Sequence, residues 1–451
     1  MNTTKPTYQF RILVVEDQEK WYESMEESLQ DILGSESARY HWDFAAHATE
    51  AKEKVATEHY HFISIDQNMS ERPGEQVFSS AGKSLWEQFA KTQRFPFRIV
   101  YTAYEEPALG ASAVRTGKAE YWTKSMTGRT DRERSIYSAD GWAERIKEIL
   151  DREYIGYALG QAGEFLPPGM ARVARRMAGS CRVGDSPDFQ IPPEKESGYL
   201  KDCLVLWESA LHLAWAQAMA LTQKQYADTG VVATNSETPT DREIDLGRLL
   251  PEIAKQGWLG AWGKTIGAGD PETFEGAGNR FLVLASHPLR QLRDRISDTF
   301  TFDSLQEEVQ SSRDPLLALL DALAFWADNP LLSHVDPSEK EKGWWVAETL
   351  QGGEQPVEQM EFDASAPIEM VHIPENNVFI LWQGPGKEPT LVNLSPFVTV
   401  ETDENTRRPV LWIISHHRDG IWYRRSLRDG TVHPWKGIAE KERKSLEAAW
   451  G

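Results

Sequence analysis

The first 150 residues alternate short apolar runs with amphipathic stretches, and that alternation admits few folds. "FRILVVED", "YHWDFAA", "HFISID", "FRIVYTA" and "AEYWTK" read as five strands. Between and after them, "EKWYESMEESLQDIL", "ATEAKEKVATE", "SLWEQFAKTQ" and "ADGWAERIKEIL" carry helical periodicity, with Trp21, Met25, Leu29 and Ile32 on one side of the first. Strands that alternate with helices pair in parallel and carry helices on both faces of the sheet. The expectation is a doubly wound α/β domain with a five-stranded parallel sheet. Ligands of such sheets sit outside the carboxyl ends of the strands, where the strand order reverses.

Polar residues stand at those ends. Strand one ends in Glu16 and Asp17, strand three in Asp66, strand four in Thr102 and strand five in Lys124. Three carboxylates on one rim repel one another, so a hard divalent cation is expected among them, and oxygen ligands favour Mg2+. Such a cation together with a lysine would neutralise an incoming phosphoryl group. Asp66 would then be the nucleophile, forming an aspartyl phosphate. Taken singly, these residues have plainer readings: a strand-end aspartate as a turn or cap, Lys124 as a solvated lysine, Tyr121 as a half-buried aromatic. Their order on successive strands is what favours the joint one.

With those residues in place, the segment resembles the receiver domain of two-component response regulators, a flavodoxin-like fold, over residues 8–153. The resemblance implies that Glu16 and Asp17 are the acidic metal pair and that Asp66, in "DQNM", is the phosphoacceptor. It further implies that Asn68 lends Mg2+ its backbone carbonyl, that Thr102 is the switch hydroxyl and that Lys124 is the phosphate-facing lysine. Tyr121 would be the aromatic that changes rotamer with Thr102. Two departures stand out. Ser70 takes the place of a proline common in the family, and "SERPGEQVFSSAG" lengthens the loop before Gly82.

The remaining chain is harder to read. At 451 residues it calls for two or three domains, and 40% apolar with 26% charged residues is globular composition. Residues 154–194 read as a Pro- and Gly-rich linker with one short helix, and Arg172, Arg175 and Arg176 as a polar helix face rather than a nucleic-acid contact. Residues 195–332 read as an all-helical domain, with Asp314 capping a helix that has Pro315 in its first turn. Residues 340–451 read as a small antiparallel β-rich domain closed by "AEKERKSLEAAW", with Asp419-Gly420 and Asp429-Gly430 as hairpin turns. His416 and His417 adjoin on a strand and so face opposite sides, which is poor metal geometry.

Two tempting motifs fail on inspection. "WGKTIGAGD" has Gly263, Lys264 and Thr265, but a phosphate loop would need glycine where Trp258 stands. Arg293 and Asp294 faintly resemble the signature of helical HEPN nucleases, but Asp298 occupies the histidine's place, leaving no group to handle the proton.

A net charge of −20 argues against non-specific nucleic-acid binding. No apolar run spans a membrane, no signal-peptide core is legible, and Cys181 and Cys203 read as reduced thiols, so a cytoplasmic setting is expected. The function expected is that of a response regulator in a two-component phosphorelay. Its cofactor would be Mg2+, and its phosphoryl donor a sensor histidine kinase or a phosphotransfer protein. Its helical and β-rich parts would gate contact with an unknown downstream protein. No separate enzymatic domain is legible; the receiver would catalyse its own acceptance and loss of phosphate. A phosphate sink without switched output, a HEPN-like nuclease effector and a DNA-binding output are the alternatives, and a homodimer is left open.

Overall fold

The computed structural model describes residues 8–74, 79–92, 96–102, 119–124, 138–181, 189–229, 289, 302–337, 344–352, 359–363, 377–382, 390–403, 408–440, 442–444 and 446. The chain divides into two compact units, Met1–Ala158 with Cys181–Gln190, and Leu159–Ser180 with Ile191–Gly451.

The first unit is the expected parallel sheet. Strands β1 (Phe10–Val15), β2 (Tyr40–Ala45), β3 (Phe62–Ile65), β4 (Phe97–Thr102) and β5 (Ala119–Thr123) lie in the order β2-β1-β3-β4-β5, every neighbouring pair parallel. Side chains alternate across a strand, so β1 divides its apolar residues between two layers. Leu13 and Val15, with Ile63 and Ile65 of β3, pack with Val55 of α2 (Ala48–Thr57) and Leu85 and Phe89 of α3 (Ser79–Thr92). On the other face, Trp142 of α4 (Ala139–Glu148) donates from Nε1 to Ser64 Oγ at 3.2 Å. Ser28 of α1 (Glu19–Leu33) donates to Asp140 Oδ1 at 2.7 Å, joining α1 to α4. Two of these helices carry built caps: His47 Nδ1 accepts from Glu50 N–H at 3.1 Å, and Ser138 Oγ from Gly141 N–H at 3.1 Å. The strand order reverses between β1 and β3, which is where the acids stand.

The second unit combines helices with two antiparallel sheets. Strands β6 (Leu331–Pro337), β7 (Trp344–Thr349), β8 (Gln359–Asp363), β9 (Phe379–Trp382) and β10 (Thr390–Asn393) form a sheet in the order β10-β9-β6-β7-β8. Strands β11 (Val398–Thr402), β12 (Pro409–Arg418), β13 (Ile421–Ser426) and β14 (Val432–Pro434) form another in that order. The Asp419-Gly420 turn is a hairpin turn as expected: both residues have positive φ, 52° and 75°, joining β12 to β13. Residues 440, 442–444 and 446 are helical. His417 packs its ring 4.6 Å from that of Trp422.

Several expectations for this unit are corrected. The stretch read as a linker contains two helices, α5 (Tyr154–Phe165) and α6 (Pro168–Ala178). Pro168 lies at the start of α6, where a proline costs no hydrogen bond, and Met170, Val173, Ala174 and Met177 bury one face. Arg176 of α6 pairs with Asp202 of α7 (Pro193–Thr229), with Nε to Oδ2 at 2.6 Å, and Arg428 pairs with Asp403 at 2.7 Å. Of the cluster of Arg172, Arg175 and Arg176, Arg176 is thus held by an acid of the same unit, in keeping with a polar helix face. Helix α8 runs Phe302–Leu323 and so contains Pro315 rather than starting at it. Leu305, Val309 and Leu316 continue one buried face through the proline. A short helix α9 (Phe325–Asp328) follows, and strand structure begins at Leu331, inside the range assigned to helices. The helical region and the antiparallel sheets that follow it, in the order expected, fall within the second compact unit. Arg293, Asp294, Asp298, Trp258, Gly263, Lys264 and Thr265 lie outside the described residues.

Candidate functional site

Four of the five strands of the parallel sheet bring a polar residue to one rim. Glu16 follows β1, Asp66 follows β3, Thr102 ends β4 and Lys124 follows β5. Backbone bonds carry the ladder one step beyond the strands: Glu16 N–H donates to Ala45 C=O at 3.0 Å, Asp66 N–H to Val15 C=O at 2.9 Å and Lys124 N–H to Thr102 C=O at 2.7 Å. The positions are thus fixed by sheet register, the most rigid part of the unit.

The side chains converge and are buried. Glu16 and Asp66 are each 2% exposed, Lys124 is 3% and Thr102 is 0%. Lys124 Nζ donates to Asp66 Oδ2 at 2.7 Å and also to Glu16 Oε2. Asp66 Oδ1 accepts from Asn68 N–H at 3.1 Å, closing the local turn, and Asp17 Oδ2 accepts from Ser70 N–H at 3.1 Å. Glu16 Oε1 accepts from Gln18 N–H at 3.2 Å. Oxygens of Glu16, Asp17 and Asp66 all lie within 4.8 Å of one another.

Three acids and one ammonium leave an excess of negative charge. Burial pushes Glu16 up to about 7; Lys124 opposes that shift and Asp66 adds to it. Burial also pushes Asp17 up, against the Ser70 N–H bond. Asp17 Oδ1 is buried with no hydrogen-bond partner. A buried acceptor left without a donor costs about 1–3 kcal/mol. An oxygen-seeking dication supplies what this cluster lacks, so the residues fit one. Glu16, Asp17 and Asp66 are the side chains that would hold it, with Asn68 in the adjoining loop.

Gly82 of α3 fixes the height of the Asp66 loop. A Cβ there would lie 2.4 Å from Asp66 O and 2.5 Å from Gln67 O, both backbone atoms that cannot swing aside. Gly82→Ala is therefore expected to push α3 off the loop, lower divalent-ion affinity at least about tenfold and destabilise the unit by about 1–3 kcal/mol. Calorimetric titration and a melting curve check both; unchanged affinity would show that the loop and α3 are not in this contact. The sequence offered only a glycine after a lengthened loop, without a signal for its packing.

Of the residues expected at the site, Glu16, Asp17, Asp66, Asn68 and Lys124 come together, and Thr102 is buried at the end of β4 beside Lys124 in the ladder. Tyr121 is half-buried on β5, paired with Val100. Trp21 was read only as part of a buried helix face, yet its ring centroid lies 5.3 Å from Lys124 Nζ.

With this geometry established, solved structures provide a comparison. A two-component response regulator from Clostridium difficile matches at 18% identity and a TM-score of 0.23, covering 32% of this chain and 96% of that one. A CheY-like receiver domain protein from Methanospirillum hungatei JF-1 matches at 23% identity and a TM-score of 0.23, covering 32% and 94%. The response regulator TrrA from Thermotoga maritima, solved with Mg2+ and BeF, matches at 25% identity and a TM-score of 0.21, covering 31% and 99%. The N-terminal third is similar to response-regulator receiver domains. No model of a known protein family matches the sequence, and no curated protein matches it. The rest of the chain is not recognised. Among the described residues, no helix is long and apolar enough to cross a membrane.

Proposed function

We propose that the first unit is a phosphoryl-accepting receiver and that Asp66 is its nucleophile. The observation that carries this is the pairing of a buried lysine with the two buried carboxylates of a three-acid cluster at the switch point of the sheet, the third and half-buried acid, Asp17, retaining a buried oxygen without a hydrogen-bond partner. Mg2+ bound by Glu16, Asp17 and Asp66 would supply positive charge for the phosphoryl oxygens. Asp66 Oδ2 attacks the phosphorus of a phosphohistidine donor; the P–N bond breaks as the O–P bond forms, and the donor imidazole leaves with the electron pair and takes up a proton. Lys124, already 2.7 Å from Asp66 Oδ2, balances charge on the transferred group. Thr102, one ladder step from Lys124, answers the added charge with its hydroxyl and Tyr121 follows, so that the surface around β4 and β5 has two states.

The phosphoryl donor is a sensor histidine kinase or a phosphotransfer protein, and the second unit is a protein-interaction output gated by that surface. The many acids of the chain and the acid-paired Arg176 of α6 favour a protein partner over nucleic acid. Limited proteolysis with and without beryllofluoride and Mg2+, in wild type and Asp66→Asn, tests the gating. Altered cleavage within the second unit of wild type alone is expected. Identical patterns in the presence of confirmed ligand binding would remove the switched output and leave the phosphate-sink reading.

A further inference from the structure

Lys124 has three N–H donors and two carboxylates take two of them. Around the rest of the ammonium stand aromatic rings: the Trp21 centroid at 5.3 Å and the Tyr101 centroid at 5.5 Å, both within reach of a cation–π attraction. The two rings meet edge to face at 6.1 Å, and Tyr101 stacks on Trp142 at 6.0 Å, so neither can drift away. The Lys124 side chain is 0% exposed, which leaves water no part in holding its charge.

We propose that Trp21, backed by Tyr101, is a positioning residue for Lys124. The inference rests on the receiver reading of the same site. When Asp66 takes a phosphoryl group, the ammonium must give up its bond to Asp66 Oδ2 and turn toward the new oxygens. Carboxylate bonds are directional and tie the ammonium to its resting place. The ring faces attract it over a broad arc, so they keep a buried cation in place while its hydrogen bonds are exchanged. A tryptophan whose role was only apolar filling would be replaced equally well by leucine.

The test compares wild type, Trp21→Phe and Trp21→Leu. Acceptance of phosphoryl from acetyl phosphate with saturating Mg2+ is followed by intact mass, and NMR records the ring-current shift of the Lys124 ε-methylene protons. Trp21→Leu is expected to slow acceptance by about 2- to 30-fold, the equivalent of about 0.5–2 kcal/mol. It is also expected to move the ε-methylene signals downfield, while Trp21→Phe retains most of both. Equal rates in the leucine and phenylalanine variants would overturn the proposal. If wild type accepts no phosphoryl group, the receiver reading fails on its own, and the shift then decides: ε-methylene signals unmoved in Trp21→Leu overturn the Trp21–Lys124 pairing, and a downfield move supports it.

Discussion

Replacing Lys124 by methionine is expected to destabilise the first unit by about 3–5 kcal/mol at neutral pH without divalent ions. The substitution keeps the length and apolar stem of the side chain but removes the only cation bonded to Glu16 and Asp66 among the described residues. A buried ion pair gives little net stability as a pair, because desolvation offsets the attraction; taking away one partner leaves the other's desolvation uncompensated. Glu16 already sits near 7 with Lys124 opposing its rise, so losing the ammonium drives it higher. Mg2+ is expected to restore part of the loss and to raise the melting temperature of Lys124→Met more than that of wild type, since a bound dication replaces the missing charge. Denaturant melts with and without Mg2+ measure both effects. A variant as stable as wild type, and no more responsive to Mg2+, would show that Lys124 does not neutralise this cluster.

The second large effect is a pH dependence in the other unit. His212 of α7 is held neutral in the fold, donating from Nδ1 to Glu208 C=O at 2.7 Å, while Arg425 donates to the Glu208 carboxylate at 2.5 Å. Burial lowers the His212 pKa from 6.5 to about 4, the Arg425 charge adds to that, and the bond to Glu208 opposes it. The folded pKa lies below the unfolded one, so the unfolded chain binds this proton first as pH falls. The contribution of neutral His212 is therefore complete above pH 6.5 and is lost between 6.5 and about 4, a total of about 3 kcal/mol. Amide exchange of α7, compared between pH 7 and pH 4.5, is expected to show that loss, and His212→Gln to flatten it. An equal loss in the variant would place the acid sensitivity elsewhere.

The parallel sheet was legible chiefly through β1, β3 and β4, which are buried on both faces and stop at a polar residue. Glu16 and Asp66 were marked by that punctuation, and Lys124 by its place after the fifth strand. Partners across space left no such mark. Trp21 reads as one apolar position among Met25 and Leu29, and only the fold shows its ring facing a buried ammonium. Gly82 sits in a stretch of small and polar residues and reveals nothing of the backbone it touches. In the second unit, prolines misled in both directions. Pro168 opens a helix that was taken for linker, and Pro315 lies inside one that was taken to begin there. Strand β6 escaped because its register shifts between Ser333 and Asp336, with His334 at φ 49°, which breaks the period of two. Strand β8, "QMEFD", is a polar edge strand with little apolar signal.

One measurement tests the central claim most directly. Wild type and Asp66→Asn, each incubated with acetyl phosphate and Mg2+, are compared by intact mass, followed by borohydride trapping and peptide mapping of the modified residue. The account predicts one added phosphoryl group on wild type, trapped at Asp66, lost on removal of Mg2+ from the reaction and absent from Asp66→Asn. Phosphoryl uptake by Asp66→Asn at the wild-type rate, or a trapped residue other than Asp66, would contradict it.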